Sequence, residues 1–204
     1  MGTSERRERE AQQRRQAILA AAREVFWERG FQGATIPEIA RSAELATGTL
    51  YLYFPSKEAL YLELLIEGYE LLLARLTVAA AARAAARKRA SVMVDAFFDF
   101  AREHPQYFEI IFLVLQKERA RWEERFEPAQ VERLLAAEAA CQRVVAEALQ
   151  HLAPSRSTSR QATVDAVWAM LAGVVFYFRN KADFPEVARA ARNLLLEATS
   201  HDER

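Results

Sequence analysis

Thr47, Gly48 and Thr49 place two hydroxyls and one bare backbone position where a short helix is expected to start, and Tyr51 and Tyr53 add phenolic hydroxyls within the next turn. Hydroxyls donate and accept hydrogen bonds, and the N–H groups of a helix start favour anions. Such a cluster suits contact with phosphates or base edges. Thr35 starts the preceding helix and Lys57 the following one, so both flank the cluster. Nucleophilic or acid–base catalysis finds no comparable arrangement. Asp, Glu and His form no recognisable motif, and His104, His151 and His201 are too scattered for a metal set. The single cysteine, Cys141, shares an apolar stripe with Leu134 and Val145 and reads as a buried structural thiol. No enzyme, cofactor or metal is expected.

The elements that must hold this cluster follow from periodicity. Ile18, Leu19, Ala22, Val25 and Phe26 recur at helical spacing and predict a first helix from about Gln12 to Gly30. Residues 1–10 alternate Arg and Glu and read as a frayed arm. Thr35-Ile36-Pro37-Glu38 has the syntax of a capping box with proline in the first turn, so a second helix runs to about Ala43. A third covers Thr47 to Phe54, and Pro55-Ser56 ends it. Ile36, Ile39 and Ala40 on one helix and Leu45, Leu50 and Phe54 on the other form facing apolar sets. Two short helices joined by a turn of about three residues suit a helix-turn-helix, whose second helix enters the major groove of DNA.

The rest also reads as helix, to an expected total of about nine. Asp95 and Asp99 fall opposite the apolar arc of their helix and are expected to be solvated, and Arg83 and Arg87 mark a solvated alanine-rich helix end. The 204 residues carry 28 Lys or Arg against 28 Asp or Glu. Net charge therefore gives no argument for nucleic acid. Residues 1–60 hold nine basic and eight acidic side chains, a net of +1. A basic surface must come from spatial sorting, with Arg6, Arg7, Arg9, Arg14, Arg15, Arg41 and Lys57 available. The longest apolar run, Ala166 to Phe178, is 13 residues against the roughly 20 that span a bilayer. A cytoplasmic protein without membrane association is expected.

The head resembles the TetR family of transcriptional regulators. The resemblance rests on Phe26, Gly30, Phe31, Thr35, Ile39 and Ala40, on Gly48-Thr49-Leu50-Tyr51 with Tyr53-Phe54, and on Ser56-Lys57-Glu58-Ala59-Leu60. It covers roughly residues 14–65. It implies an all-α chain in which 11–56 form a three-helix helix-turn-helix DNA-binding domain after a flexible arm at 1–10. Residues 57–204 would form a ligand-binding and dimerisation domain. Three positions depart from the family pattern. Glu44 stands at a turn position that is often glycine, Ala46 where a capping serine is frequent, and Leu52 where histidine is frequent. A left-handed Glu44 would cost about 1 kcal/mol.

The resemblance implies a homodimer that reads double-stranded operator DNA and answers to a small-molecule effector. Thr35, Tyr51, Tyr53 and Lys57 would hold phosphates. Thr47, Gly48, Thr49 and Leu52 would lie near base edges. Met93, Phe97, Phe98, Tyr107, Phe108, Ile111, Phe112, Trp122, Phe126, Trp168 and Phe176 would line an apolar chamber, or simply form core. Gly173, Val187, Ala191, Leu194 and Leu195 would meet a second copy in a four-helix bundle. The function implied is a repressor released from a palindromic operator by a hydrophobic or amphipathic molecule. The alternative is a helical ligand-binding dimer without DNA binding.

Overall fold

The computed structural model describes residues 3–82, 84–114, 126–149 and 159–198. They form nine α-helices: α1 (Thr3–Gly33), α2 (Ile36–Ser42), α3 (Thr47–Tyr51), α4 (Lys57–Ala80), α5 (Ala86–Glu103), α6 (Pro105–Glu109), α7 (Pro128–Ala148), α8 (Arg160–Phe178) and α9 (Phe184–Ala198). A π-helical turn, Ile110–Val114, follows α6 directly. All-α architecture is therefore as expected. The described residues through Glu67, with 126–132, form one compact unit, and those from Gly68 onward, with 133–198, form a second. The first division thus falls inside α4 rather than at the Ser56–Lys57 boundary expected from sequence.

In the first unit, α1 contributes Ile18, Leu19, Ala22, Val25 and Phe26 to a core completed by Ile36, Ile39 and Ala40 of α2, Leu50 of α3, Phe54, and Leu60 and Leu64 of α4. Gly30 (φ 69°, ψ 170°) kinks α1, and Phe31–Gly33 adds one more turn. The expected frayed arm is instead helical from Thr3. Helix propagation from an already packed stretch avoids the nucleation cost that an isolated segment would meet. Arg6 Nε bonds Glu10 Oε1 at 2.8 Å and Ser4 Oγ bonds Glu8 Oε1 at 3.0 Å, both one turn apart.

The α2–α3 turn is closed by two backbone bonds. Leu45 N–H donates to Ala40 O at 2.8 Å and Glu44 N–H to Arg41 O at 3.1 Å. These are the two bonds of a Schellman end, with Glu44 (φ 55°) at the left-handed position. The expected strain is thus present. At the other side of the turn Ala46 caps α3 with no side-chain bond.

In the second unit, α5 buries Met93, Val94, Phe97, Phe98 and Phe100. Asp95 and Asp99 are not simply solvated: Arg192 Nη1 of α9 reaches Asp95 at 2.9 Å, and Arg102 pairs with Asp99 at 2.8 Å. The alanine-rich stretch is broken between Ala80 and Ala86 rather than helical throughout, and Arg83 lies outside the described residues. Gly68 of α4 lies against α6 and the π turn. A Cβ there would sit 2.9 Å from Tyr107 Cδ1 and 3.2 Å from Ile111 Cδ1. Glycine thus permits a ring to lie directly on a helix backbone.

Glu44→Gly should raise stability by about 1 kcal/mol, read as a higher urea midpoint at unchanged slope. Gly68→Ala should lower it by about 1–3 kcal/mol, despite alanine's better helix propensity, because Tyr107 has to move.

Candidate nucleic-acid interface

α3 is five residues long and depends on its surroundings for its shape. Leu50 and Phe54 anchor it in the core of the first unit, fully buried. The same geometry turns the other residues outward. Leu52 is 83% exposed and Tyr51 50%, unusual values for large apolar and aromatic side chains. Gly48 is exposed, and a Cβ there would meet nothing within 4 Å. Thr47, Thr49 and Tyr53 are half-buried, Tyr53 packing against the core cluster. The structure therefore leaves Gly48, Tyr51 and Leu52 exposed at α3, with Thr47, Thr49 and Tyr53 partly accessible.

Thr35 and Lys57 are differently employed. Thr35 Oγ1 donates to Glu38 Oε2 at 2.8 Å and its backbone N–H donates to the same oxygen at 3.1 Å. Both donors of Thr35 are thus engaged in the α2 cap, on a side chain that stays exposed. The Glu38 carboxyl is held below the usual carboxylate range, first by the Thr35 hydroxyl and also by the charge of Arg29. The cap is therefore intact at neutral pH and is lost as pH falls through that lowered value. Lys57 Nζ donates to Phe31 O at 2.8 Å and Ala34 O at 2.9 Å and lies 4.6 Å from the Phe31 ring centre. Two of its three N–H groups thus tie down the last turn of α1. A phosphate would have only the third.

Arg15 performs a task that sequence reasoning missed. Its Nη2 lies 3.0 Å from Glu63 Oε1, its Nη1 donates to Tyr53 O at 3.5 Å, and its guanidinium stacks 4.3 Å from the Phe54 ring centre. Glu63 is 7% exposed. One side chain of α1 thus clamps the end of α3 to α4. The helical interval between Arg15 and Ile18 is the available signal, since it puts Arg15 above the buried stripe. Arg23 pairs with Glu67 at 2.8 Å and Arg29 with Glu38, so two further cations of α1 are engaged inside the unit.

Residues 18–64 match the bacterial regulatory proteins of the tetR family. The chain resembles that family over this segment. It is 37% identical over 100 residues to the HTH-type transcriptional activator FasR of Mycolicibacterium smegmatis, covering 49% of this chain and 46% of that protein. It is 47% identical over 66 residues to the HTH-type transcriptional regulator UidR of Escherichia coli, covering 32% of this chain and 34% of that one. The chain thus spans less than half the length of either relative. The fold is also that of the transcriptional regulator FadR from Bacillus subtilis, solved with stearoyl-CoA, at TM-score 0.69 and 17% identity over 90% of this chain and 98% of that one.

In this chain the aromatic residues of the second unit pack mainly on one another. Phe97 lies 5.5 Å from Phe112 and 5.6 Å from Trp168, and Phe108 stacks on Phe112 at 4.6 Å between ring centres. Met93, Phe98, Tyr107 and Ile111 are buried. Trp122 lies outside the described residues. Phe126 groups with the first unit. Phe176 is corrected: it is 51% exposed, beside Tyr177 at 66%, because α8 turns that flank away from the cluster. An open groove of about 470 Å³ runs between α5 and α9, lined by Asp95, Phe98, Asp99, Arg102, Phe184, Pro185, Ala188 and Arg189. Of the residues expected around a ligand, Phe98 borders it.

Among the residues expected at a dimer surface, Leu194 is exposed and Val187, Leu195 and Gly173 are half-buried. Ala191 is corrected, being buried where α9 packs within its own chain. α8, 19 residues long, is apolar enough by length and composition alone to reach across a bilayer, a test that a core helix also passes. The apolar run was counted from Ala166, whereas the helix starts at Arg160. Cys141 is buried as expected, its Sγ donating to Tyr69 O at 3.5 Å. Burial, and secondarily the charge of Glu138, pushes its pKa up to about 12, so it carries little thiolate at neutral pH. No group of metal-ligating residues occurs among the described residues.

Arg15→Met should cost about 1–3 kcal/mol in urea unfolding. Combined with Glu63→Gln it should cost less than the sum of the two single changes, which a double-mutant cycle will read.

Proposed function

We propose that this chain is a dimeric, ligand-responsive transcriptional regulator, a repressor released from a palindromic operator by a hydrophobic or amphipathic small molecule. The observation that carries the DNA-binding part is the presentation of α3. A short helix is held rigidly by Leu50, Phe54 and Arg15 while Tyr51 and Leu52 are left outside. Tyr51 and Tyr53 would hold phosphates and position the head. Thr47, Gly48 and Thr49 would approach base edges, and Leu52 would touch a thymine methyl. The third N–H of Lys57 would add a phosphate contact.

The dimer reading is supported by an exposed strip on α8 and α9. Gly173 has open space at its Cβ position, and Phe176, Tyr177 and Leu194 are exposed apolar groups beside it on these two helices. Pairing across a two-fold axis would bury them and would account for the apolar composition of α8 without a membrane. This is consistent with a cytoplasmic protein. The effector reading rests on the aromatic cluster of the second unit, and the stearoyl-CoA bound by FadR makes a long-chain acyl compound a reasonable first ligand to try. Ligand and operator would compete through a coupling of about 1–3 kcal/mol.

Selection from a pool of randomised duplex DNA at about 0.15 M salt tests the reading. The expected result is an enriched palindrome with half-sites about 34–36 Å apart. Tyr51→Phe should weaken its binding with little change in sequence preference. A folded dimer that enriches no sequence would overturn the DNA-binding reading in favour of a ligand-binding dimer.

A further inference from the structure

The α1 segment from Ser4 to Arg14 buries no side chain, yet it is helical. A polar helix of this kind is held by pairs one turn apart or by something outside the chain. Its cations divide sharply. Arg6 is paired with Glu10, and Arg9 Nε donates to Glu5 O. Arg7 and Arg14 are exposed and make no ion pair or hydrogen bond among the described residues. Residues 7, 14, 18 and 25 fall on one side of an α-helix, within about 40° of arc. Ile18 and Val25 on that side face the core of the first unit. Arg7 and Arg14 therefore lie on the side of α1 that faces α2, α3 and α4, but on a stretch of α1 that extends past them.

The place where this overhang begins is also defined. Arg15, the next residue after Arg14, donates to Tyr53 O and stacks on Phe54. The overhang thus starts at the end of α3 and extends about 15 Å along the helix axis from there. Arg7 and Arg14 lie about 10 Å apart, roughly three phosphates of one DNA strand. We propose that this overhang is a second phosphate track, in which Arg7 and Arg14 close on the DNA backbone flanking the groove that α3 enters. Charge complementarity selects the partner, because the two unpaired cations lie on the core-facing side of α1 while the carboxylates of Glu8 and Glu10 are bonded by Ser4 and Arg6 within the helix. The inference rests on the DNA-binding reading and adds to it a contact set outside the helix-turn-helix.

The test compares the full-length chain with Arg7→Ala/Arg14→Ala and with Arg9→Ala, using the duplex recovered by selection. Binding is measured from 0.05 to 0.2 M salt. The double variant should lower the slope of log affinity against log salt by about 1.8 per subunit, while Arg9→Ala leaves it unchanged. Hydroxyl-radical footprints should lose flanking backbone protection in the double variant and keep the central protection. Thermal melting should be unaltered, since the exposed side chains touch nothing. An unchanged slope and footprint, or an equal effect of Arg9→Ala, would overturn the track. A shift in sedimentation without a change in slope would also overturn it, and would assign the overhang to a second copy of the chain. Failure to recover any duplex would reject the DNA-binding reading itself, and the track with it.

Discussion

A helix of five residues cannot hold itself together in water, since closing the first turn costs more than one hydrogen bond returns. The arrangement of the head follows from that constraint. α3 is a helix because Leu50 and Phe54 are buried among Ile18, Ala22, Ile39 and Leu60. Each such burial contributes on the order of 1.5–3 kcal/mol. Arg15 then fixes the far end of α3 through Tyr53 O, Phe54 and Glu63. With no side-chain cap at Ala46 and a strained Glu44 before it, α3 receives little support from its own N-terminus. Its outward side chains inherit their positions from the core beneath them.

The same economy of cations shapes the surface. A head with a net charge near zero presents a basic face only if its acids are occupied elsewhere. Glu63, Glu67, Glu38 and Glu10 are each engaged by an arginine. The cations that do this work are removed from any surface role, and so is most of Lys57. Among the described residues, the cations that remain exposed and unpaired on the first half of α1 are Arg7 and Arg14.

The second unit solves a different problem. Its aromatic side chains need partners, and Phe97 supplies a centre around which Phe98, Phe108, Phe112 and Trp168 are arranged edge-on or tilted. Such arrangements suit the ring quadrupoles better than face-to-face stacking. Gly68 lets Tyr107 lie on α4, and the π turn at Ile110–Val114 places Ile111 at the same contact. On the outer flank of α8 the chain leaves Phe176 and Tyr177 exposed, with ring centres 4.9 Å apart.

Much of this was legible in the order of residue types. The capping box at Thr35 and Glu38, the turn at Glu44, the buried pair Leu50 and Phe54, and the starts of α7 and α9 at proline-bearing sequences all follow from short-range physics, which needs only neighbours in the chain. The candidate DNA surface was legible for the same reason, because the helix-turn-helix pattern is local. Partnerships between distant residues were not. Nothing in the spacing of Arg15 and Glu63, Asp95 and Arg192, or Lys57 and Phe31 announces that they meet, since their encounter depends on how helices pack. Helical extent beyond the core, as in the stretch from Thr3, was hidden too, because propagation depends on a nucleus elsewhere in the helix. Sequence alone determined the starts of α2, α3 and α4 and the buried pair Leu50 and Phe54. Tertiary structure decided which charges are spent and which are free, because pairing depends on distance in space rather than along the chain.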